Sequence, residues 1–195
     1  MTEQLKGKRV AALVANGFEQ VELTQPREAL QAAGATVEVV SPEKDEVRGW
    51  DHTQWGTTVK VDRALDDARV DNYDALLLPG GVMNPDRLRM NPKAVDFVKR
   101  FFDDGKPIAV ICHGPWTLVE AGVVRGVKMT SYPSIKTDLK NAGAQWVDEE
   151  VVVDRGIVSS RKPSDIPAFN RKTIEEFAEG RHGGAGRRAL AETRA

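Results

Sequence analysis

The dipeptide Cys112-His113 combines the residue types and the position that nucleophilic catalysis requires. Cys112 directly follows an apolar run, 108–111, and Gly114-Pro115 begins a helical segment after it. A nucleophile at a sharp strand-to-helix turn is lifted out of the sheet, and the start of the helix stabilises a thiolate. His113 can accept the thiol proton or pair with the thiolate. The alternative is a buried, inert cysteine, since unpaired cysteines are among the most buried residues.

Two carboxylates follow other predicted strands and could support the thiol. Glu19 comes just after the first apolar run, where a carboxyl could hydrogen-bond the sulfur and adjust its pKa. Its alternative role is that of an acidic residue at the start of the next helix. Asp86, followed by Arg87, lies beyond the Gly80-Gly81 turn and could orient His113 as the acid of a Cys-His-acid set. Its alternative role is an ordinary loop charge before a helix.

The Gly80-Gly81 turn permits a positive φ and a close approach of the backbone to a ligand. We therefore expect the backbone N–H groups of Gly81 and His113 to form an oxyanion hole. No strand is followed by a phosphate-binding or dinucleotide-binding glycine motif, and GxSxG is absent. The three histidines, at positions 52, 113 and 182, show no metal-ligand spacing. The sequence thus predicts neither a cofactor nor a metal site.

Alternating strands and helices must position these residues. Short runs of apolar and β-branched residues without polar alternation are typical of parallel strands covered on both faces. Glu46 to Val61, with Trp50 and Trp55, indicates a β-hairpin. The pattern predicts a doubly wound α/β sheet whose ligand site lies beyond the carboxyl ends of its strands. The predicted strands are 10–15, 36–40, 75–78, 108–111, one near 129, 151–153 and 157–159; the predicted helices are 21–33, 92–102, 115 to about 122, 135–142 and 166–178.

Composition sets the broad class. The 195 residues carry 28 Lys+Arg against 29 Asp+Glu, and a net charge of −1 argues against a nucleic-acid-binding domain. One cysteine excludes a disulfide framework and a cysteine-rich zinc site. Neither a membrane-spanning run nor an apolar signal core is present, so we expect a cytoplasmic protein without a membrane partner. We expect one domain at 1–180 and a mobile, basic Gly/Arg-rich tail at 181–195.

The motifs carry a family resemblance. The chain resembles the ThiJ/PfpI family of the class I glutamine-amidotransferase-like superfamily, and most closely its PfpI intracellular-protease and deglycase branch. The similarity extends over roughly residues 9–177. The segments that carry it are GFEQVEL at 17–23, LLPGG at 77–81, AVICHGP at 109–115, TSYP at 130–133, AG at 142–143, WVD at 146–148, EVVVD at 150–154 and VSSR at 158–161.

The resemblance implies a flavodoxin-like sheet, Cys112 as nucleophile, His113 as its base partner and Glu19 as the carboxyl contacting the sulfur. It also implies an acid from a neighbouring subunit, at the position of Asp86, and therefore a homo-oligomer, at least a dimer, with a shared active site. Asp86 is shorter than the glutamate usual there, so its carboxyl extends less far from the backbone. Gln20 stands where a second acidic residue is common.

The sequence is compatible with three functions. The favoured one is a PfpI-type intracellular cysteine hydrolase of the peptidase family, acting in stress protection. The alternative is a protein deglycase or glyoxalase III-like enzyme acting on methylglyoxal or its adducts. Its substrate would be a small aldehyde or a glycated group rather than a peptide. The third is a redox-sensing or chaperone-like stress protein, because a lone reactive thiol can stop at the sulfenic or sulfinic level.

Overall fold

Apolar, β-branched runs form the central sheet of this chain, because strands covered on both faces need no polar side. The structure is a computed structural model that describes residues 3–183. The predicted tail therefore lies, from residue 184 onward, outside the described residues. The strands are β1 Arg9–Leu13, β2 Phe18–Glu19, β3 Thr36–Ser41, β4 Glu46–Asp51, β5 Gln54–Lys60, β6 Arg63–Ala64, β7 Ala75–Leu78, β8 Ile108–Ile111, β9 Lys128–Met129, β10 Gln145–Trp146, β11 Val151–Asp154 and β12 Ile157–Ser160.

Seven strands form the main sheet in the order β11-β12-β8-β7-β1-β3-β6. Only the β11–β12 pair in this sheet is antiparallel. Along the chain, β3 and β6 are added on one side of β1, and β7, β8 and β12 are added on its other side. The order of the strands therefore reverses between β1 and β7, and the carboxyl ends of β1, β7 and β8 border one crevice. The predicted class, a mostly parallel, doubly wound α/β sheet, is confirmed.

Helices cover both faces of this sheet. They are α1 Gln20–Ala32, α2 Met83–Arg89, α3 Pro92–Asp103, α4 Pro115–Glu120, α5 Lys136–Asn141 and α6 Ile166–Glu179. Side chains alternate along the strands: Leu76 and Leu78 join the core beneath α3, whereas Leu77 joins the core beneath α1 and α6. This alternation follows from the two-residue repeat of a strand, and it leaves each central strand apolar on both sides.

Helix α2 corrects the sequence analysis, which placed Asp86 in a loop. Its seven residues include Pro85 in the first turn and carry no strong apolar periodicity. Tertiary hydrogen bonds hold it instead. The buried Asn84 side chain accepts from the backbone N–H of Ala15 (2.7 Å) and donates to the carbonyls of Pro79 (2.9 Å) and Gly80 (3.1 Å). Asn84 thus ties α2 to the ends of β1 and β7.

The predicted hairpin at 46–61 is confirmed as β4 and β5, which pair antiparallel. It forms a second sheet in the order β2-β4-β5, since β4 pairs in parallel with β2 beside the end of β1. Gln20 fastens the hairpin: its Oε1 accepts from the N–H of Thr57 (2.6 Å) and from the Thr57 hydroxyl (2.9 Å). The hairpin therefore lies against the crevice at the strand ends.

Within residues 3–183, none of the helices is both long enough and apolar enough to cross a membrane.

Candidate active site

The turn between β8 and α4 has the geometry of a nucleophile elbow. Cys112 adopts a φ of 63°, a left-handed conformation that is strained for a residue with a side chain. Both of its backbone polar groups are held in place. Its N–H donates to the carbonyl of Ser160 (3.0 Å), and its carbonyl accepts from the N–H of Tyr132 (2.8 Å). The local sequence prediction of strand, sharp turn and helix is confirmed.

The thiol of Cys112 borders a pocket of about 530 Å³ beyond the strand ends. The lining residues that matter for chemistry are Glu19, Glu22, Trp50, His52, Gly81, Cys112, His113 and Tyr132. Residues from three of the predicted strand ends therefore converge, as expected from the sheet topology. Cys112 is 6% exposed, so the sulfur is accessible only through this pocket.

His113 is the partner of the thiol. Its Nδ1 lies 3.2 Å from Sγ of Cys112. Burial raises the pKa of the Cys112 thiol, and Glu22 raises it further wherever its carboxyl is ionised. Burial lowers the pKa of His113, so its imidazole is neutral at pH 7. A protonated thiol beside a neutral imidazole is the starting arrangement for general-base activation.

The backbone N–H groups of Gly81 and His113 both form hydrogen bonds with the sulfur, and these bonds lower the pKa of the thiol. These are the two groups predicted to form an oxyanion hole, and that role stays a prediction. Gly81 has a φ of 78°, and a Cβ there would lie 2.6 Å from the backbone nitrogen of Glu19. At Gly80 a Cβ would lie 2.6 Å from Glu22 Oε2 and 2.7 Å from the Cβ of Cys112. Both glycines are therefore required for this close approach.

Glu22, rather than Glu19, is the carboxyl at the sulfur. Glu22 is fully buried, hydrogen-bonds with the Cys112 thiol, and accepts from the N–H of Gly80 (2.9 Å). Burial, with the nearby charge of Glu19, raises the pKa of Glu22 to about 8, so the carboxyl is protonated at pH 7. The expected contact of Glu19 with the sulfur was therefore wrong. Glu19, which precedes α1, faces the β4–β5 hairpin, whereas Glu22, one helical turn later, faces the main sheet.

The sequence contains a signal for Glu22 that the motif analysis missed. The buried positions of α1 include Glu22, Pro26 and Leu30, which are spaced by four residues and form one helical stripe. A carboxylate on the buried stripe of a helix needs a specific reason, because acidic residues are rarely buried. Such a residue at the end of a parallel strand is a candidate for the site.

Glu19 lies at the pocket wall instead. It is half-buried at the N-cap position of α1 but makes no side-chain capping hydrogen bond. Its carboxylate accepts from the backbone N–H of His52, and Oε1 is buried without a hydrogen-bond partner among residues 3–183. Burial raises the pKa of Glu19.

Asp86 is exposed on α2 and forms an ion pair with Arg89, 3.2 Å away. Within the described part of one chain, the hydrogen-bond partners of the His113 ring are Cys112 and Ser134. Ser134 Oγ lies 3.0 Å from Nε2. A contact of Asp86 with His113 of a neighbouring subunit stays a prediction. Ser134 was missed because it comes from a different loop.

Aromatic rings fix the plane of His113. Tyr132 stacks on it at 4.8 Å between ring centroids, and Trp116 packs edge-on at 5.3 Å. The Trp116 indole N–H donates to Asp138 (2.8 Å), and the Arg89 guanidinium lies over the Trp116 ring. These contacts hold Nδ1 toward the sulfur.

Two clusters in the described residues bring three possible metal-ligand atoms within 4.8 Å of one another. They are Glu19, Asp51 and His52 beside the pocket, and Glu176, Glu179 and His182 near the end of α6. Each has one histidine and no cysteine. Three ligands are one fewer than a structural zinc site requires.

Comparisons with known proteins found a family model, curated proteins and solved structures that are similar to this chain. The model of the DJ-1/PfpI family matches residues 8–176. Deglycase PH1704 of Pyrococcus horikoshii is 47% identical over 167 residues, which are 86% of this chain and 98% of that protein. General stress protein 18 of Bacillus subtilis is 44% identical over 86% of this chain and 96% of its own. The solved structure of Drosophila melanogaster DJ-1beta has a TM-score of 0.80 at 28% identity, covering 99% of this chain and 97% of that one. The predicted flavodoxin-like fold is thereby confirmed.

Proposed function

The chain belongs to the DJ-1/PfpI family, as the resemblance in its motifs predicts, and from this premise we propose that it is a cysteine-dependent hydrolase. The observation that carries the proposal is the 3.2 Å contact of Cys112 Sγ with His113 Nδ1 at a strained elbow. Such a contact lets the imidazole take the thiol proton as the sulfur attacks a carbonyl carbon.

The substrate we favour is an adduct of a small dicarbonyl, such as methylglyoxal, on an amino-acid side chain. The pocket of about 530 Å³ suits a compact group, and the β4–β5 hairpin bounds it on one side. Relatives with 46–48% identity are named deglycases. This preference reverses the order favoured on sequence alone, in which peptide hydrolysis came first.

The chemistry balances with water as the only co-reactant. In the adduct, the former aldehyde carbon carries a hydroxyl group and the nitrogen or sulfur of the side chain. The Cys112 thiolate displaces that nitrogen or sulfur, which leaves with the proton that His113 took from the thiol, and the carbon becomes a hemithioacetal of Cys112. A base then moves the proton of that carbon to the neighbouring carbonyl carbon, which leaves a lactoyl thioester. Water hydrolyses the thioester, releasing lactate and the thiol. Gly81 and His113 N–H groups would hold the oxyanions along this route.

Peptide hydrolysis is the second candidate. It is supported by the two N–H groups at the sulfur, because acyl transfer passes through a tetrahedral oxyanion that needs such donors. In this reaction Cys112 attacks the peptide carbonyl, His113 protonates the leaving amine, and water releases the acyl group. The same residues therefore serve both reactions, and only the substrate differs.

We also propose a homo-oligomer, at least a dimer, that works in the cytoplasm in stress protection. One relative is named a general stress protein. The surface around Asp86 supports assembly, since Val82 is 55% and Met90 79% exposed. Asp86 of a neighbouring subunit would complete the Cys-His-acid set.

Wild type and Cys112→Ser should be assayed side by side for lactate release from methylglyoxal adducts and for peptide cleavage. The proposal expects lactate from the wild type and a loss of at least about a hundredfold in the variant, since the nucleophile is removed. Full activity of Cys112→Ser would contradict a cysteine-dependent hydrolase. Peptide cleavage without lactate release would select the second candidate.

A further inference from the structure

The wall of the pocket formed by Glu19 and the β4–β5 hairpin carries negative charge. Glu19 lines the pocket, and its carboxylate lies within 4.8 Å of possible ligand atoms of Asp51 and His52. Two carboxylates face one histidine there, so the local charge is negative even when the histidine is protonated. No Lys or Arg is among the described residues lining the pocket.

Glu19 has no complete structural task. It stands at the N-cap position of α1 without making a side-chain cap. Its Oε1 is buried and has no hydrogen-bond partner within residues 3–183, although each carboxylate oxygen can accept two hydrogen bonds. A buried acceptor without a hydrogen-bond partner destabilises the folded state, because it has given up its hydrogen bonds to water. Glu19 as a whole is half-buried and lines the pocket, so a ligand with N–H groups can approach its carboxylate.

Trp50 adds an aromatic surface to the same wall. Its single polar group is already used, because the indole N–H donates to the carbonyl of His52 (2.9 Å). Trp55 packs edge-on against it at 5.5 Å and helps to hold the ring. Trp50 therefore offers the pocket only its π surface, which attracts cations.

We propose that Glu19, with Asp51 and Trp50, makes the pocket selective for substrates whose reacting carbonyl lies beside a cationic group, a guanidinium or an ammonium. The proposal rests on the proposed function for the position of the reacting carbon at Cys112. It assigns Glu19 the role of a specificity residue rather than that of the sulfur's partner. An arginine-derived adduct fits this class, whereas an adduct of a neutral thiol lacks the cation.

The single cysteine allows a test that needs no enzymatic turnover. Methanethiosulfonates with a trimethylammonioethyl, a sulfonatoethyl or a methyl group all label Cys112 by one reaction. The thiolate attacks the sulfenyl sulfur, a disulfide forms, and methanesulfinate leaves with the electron pair. A change in the thiolate fraction alters all three rates equally. The ratio of cationic to anionic rates, divided by the same ratio for the urea-unfolded chain, therefore reports only the charge beside the sulfur.

We expect this normalised ratio to be about 10 in the folded wild type, in favour of the cationic reagent. In Glu19→Gln it should be at least about threefold lower. Asp51→Asn should lower it in the same direction. Glu28→Gln is the matched control, since Glu28 is an exposed residue of the same helix, α1, and the substitution removes the same charge. A wild-type ratio near one, or a ratio unchanged in both Glu19→Gln and Asp51→Asn, would overturn the proposal.

A second arm measures selectivity in catalysis. In the wild type, kcat/KM for the methylglyoxal adduct of Nα-acetyl-argininamide should exceed that for the adduct of N-acetylcysteine methyl ester. Glu19→Gln should reduce this ratio about fivefold, mainly through KM for the arginine adduct. If neither adduct is hydrolysed, the proposed function fails while the labelling ratio still decides the charge selectivity. Equal losses for both adducts would contradict a role of Glu19 in selectivity.

Discussion

The Glu22 carboxyl should make the stability of the fold depend on pH. Burial raises its pKa from 4.5 to about 8, so the folded chain retains a proton between these values that the unfolded chain has lost. Unfolding then releases a proton, and the contribution of Glu22 to the free energy of unfolding is present below pH 4.5 and is lost as pH rises through about 8. Glu22→Gln removes this dependence.

Urea unfolding of wild type and Glu22→Gln at pH 5 and pH 8 measures the effect. Between these pH values the wild type should lose up to about 4 kcal/mol more stability than the variant. Taking the difference between the two proteins cancels the other titrating groups, His113 included. A pH dependence identical in both proteins would contradict a protonated Glu22.

Ser134 should support the basicity of His113. For Nδ1 to accept the thiol proton, the ring must carry its own proton on Nε2, which then donates to Ser134 Oγ at 3.0 Å. Ser134→Ala removes this acceptor and should slow iodoacetamide labelling of Cys112 about fivefold near pH 7, since one hydrogen bond contributes about 1 kcal/mol. Ser134→Thr keeps the hydroxyl and should restore the rate. If Ser134→Ala and Ser134→Thr label equally fast, Ser134 has no part in positioning the base.

At the scale of residues, the sequence predicts those parts of the site that are close together along the chain. Cys112 and His113 are adjacent in the chain, and the apolar run before them with a helix start after them defines the elbow. Glu22 and Ser134 reach the same site from α1 and from the loop before α5, so only the folded chain shows their distances. The predicted contact of Glu19 with the sulfur was wrong for a local reason. Glu19 has the expected residue type near the expected strand end, but the first turn of α1 directs Glu22 toward the sulfur instead.

At the scale of elements, Asn84 should contribute more to stability than an ordinary helix cap. Its three hydrogen bonds join α2 to the chain just after β1 and β7, and Asn84→Ala would leave the N–H of Ala15 and the carbonyl of Pro79 without these partners. The Gly80 carbonyl would keep only its bond from the N–H of Glu19 (3.3 Å). We expect a loss of about 2–4 kcal/mol in urea unfolding. We also expect a loss of activity beyond the loss of folded protein, since Gly81 follows the anchored Pro79-Gly80.

Asn91→Ala is the control for Asn84→Ala. Asn91 caps α3 by accepting from the N–H of Lys93 (3.0 Å) and Ala94 (3.4 Å), away from the pocket. Its replacement should cost about 1 kcal/mol and leave the activity of the folded enzyme unchanged. Equal stability losses in the two variants would show that Asn84 is only a cap.

The difference between elements held by apolar burial and elements held by hydrogen bonds explains which of them could be predicted from the sequence. Strands β7 and β8 agree with the predicted ranges to the residue, because a run buried on both faces is apolar throughout and is bounded by polar or turn residues. Helix α2 has no such pattern: its buried residues are Asn84, Pro85 and Leu88, and Asn84 holds the helix to the strand ends by hydrogen bonds. Sequence periodicity detects elements held by apolar burial and misses those held by tertiary hydrogen bonds.

At the scale of the whole molecule, one chain brings together the Cys112 thiol, the His113 imidazole and two backbone N–H groups, but within residues 3–183 no carboxylate hydrogen-bonds to the His113 ring. We propose that Asp86 of a second subunit supplies that carboxylate, since the Asp86 side chain is exposed and Val82 and Met90 nearby are exposed apolar residues. A sedimentation mass above that of the monomer is the first expectation. Symmetric dimers then bring the same patch of each subunit together.

Complementation between two inactive variants tests whether the site is shared. Cys112→Ser lacks the nucleophile and Asp86→Ala lacks the acid, so each alone should be strongly impaired. When both are co-expressed as a dimer, about half of the molecules are mixed, and each mixed dimer has one site with both Cys112 and Asp86. Activity should therefore recover to about a quarter of the wild-type value. A mixture no more active than its components would mean that Asp86 does not act across the interface, and Ser134 would then remain as the hydrogen-bond partner of Nε2.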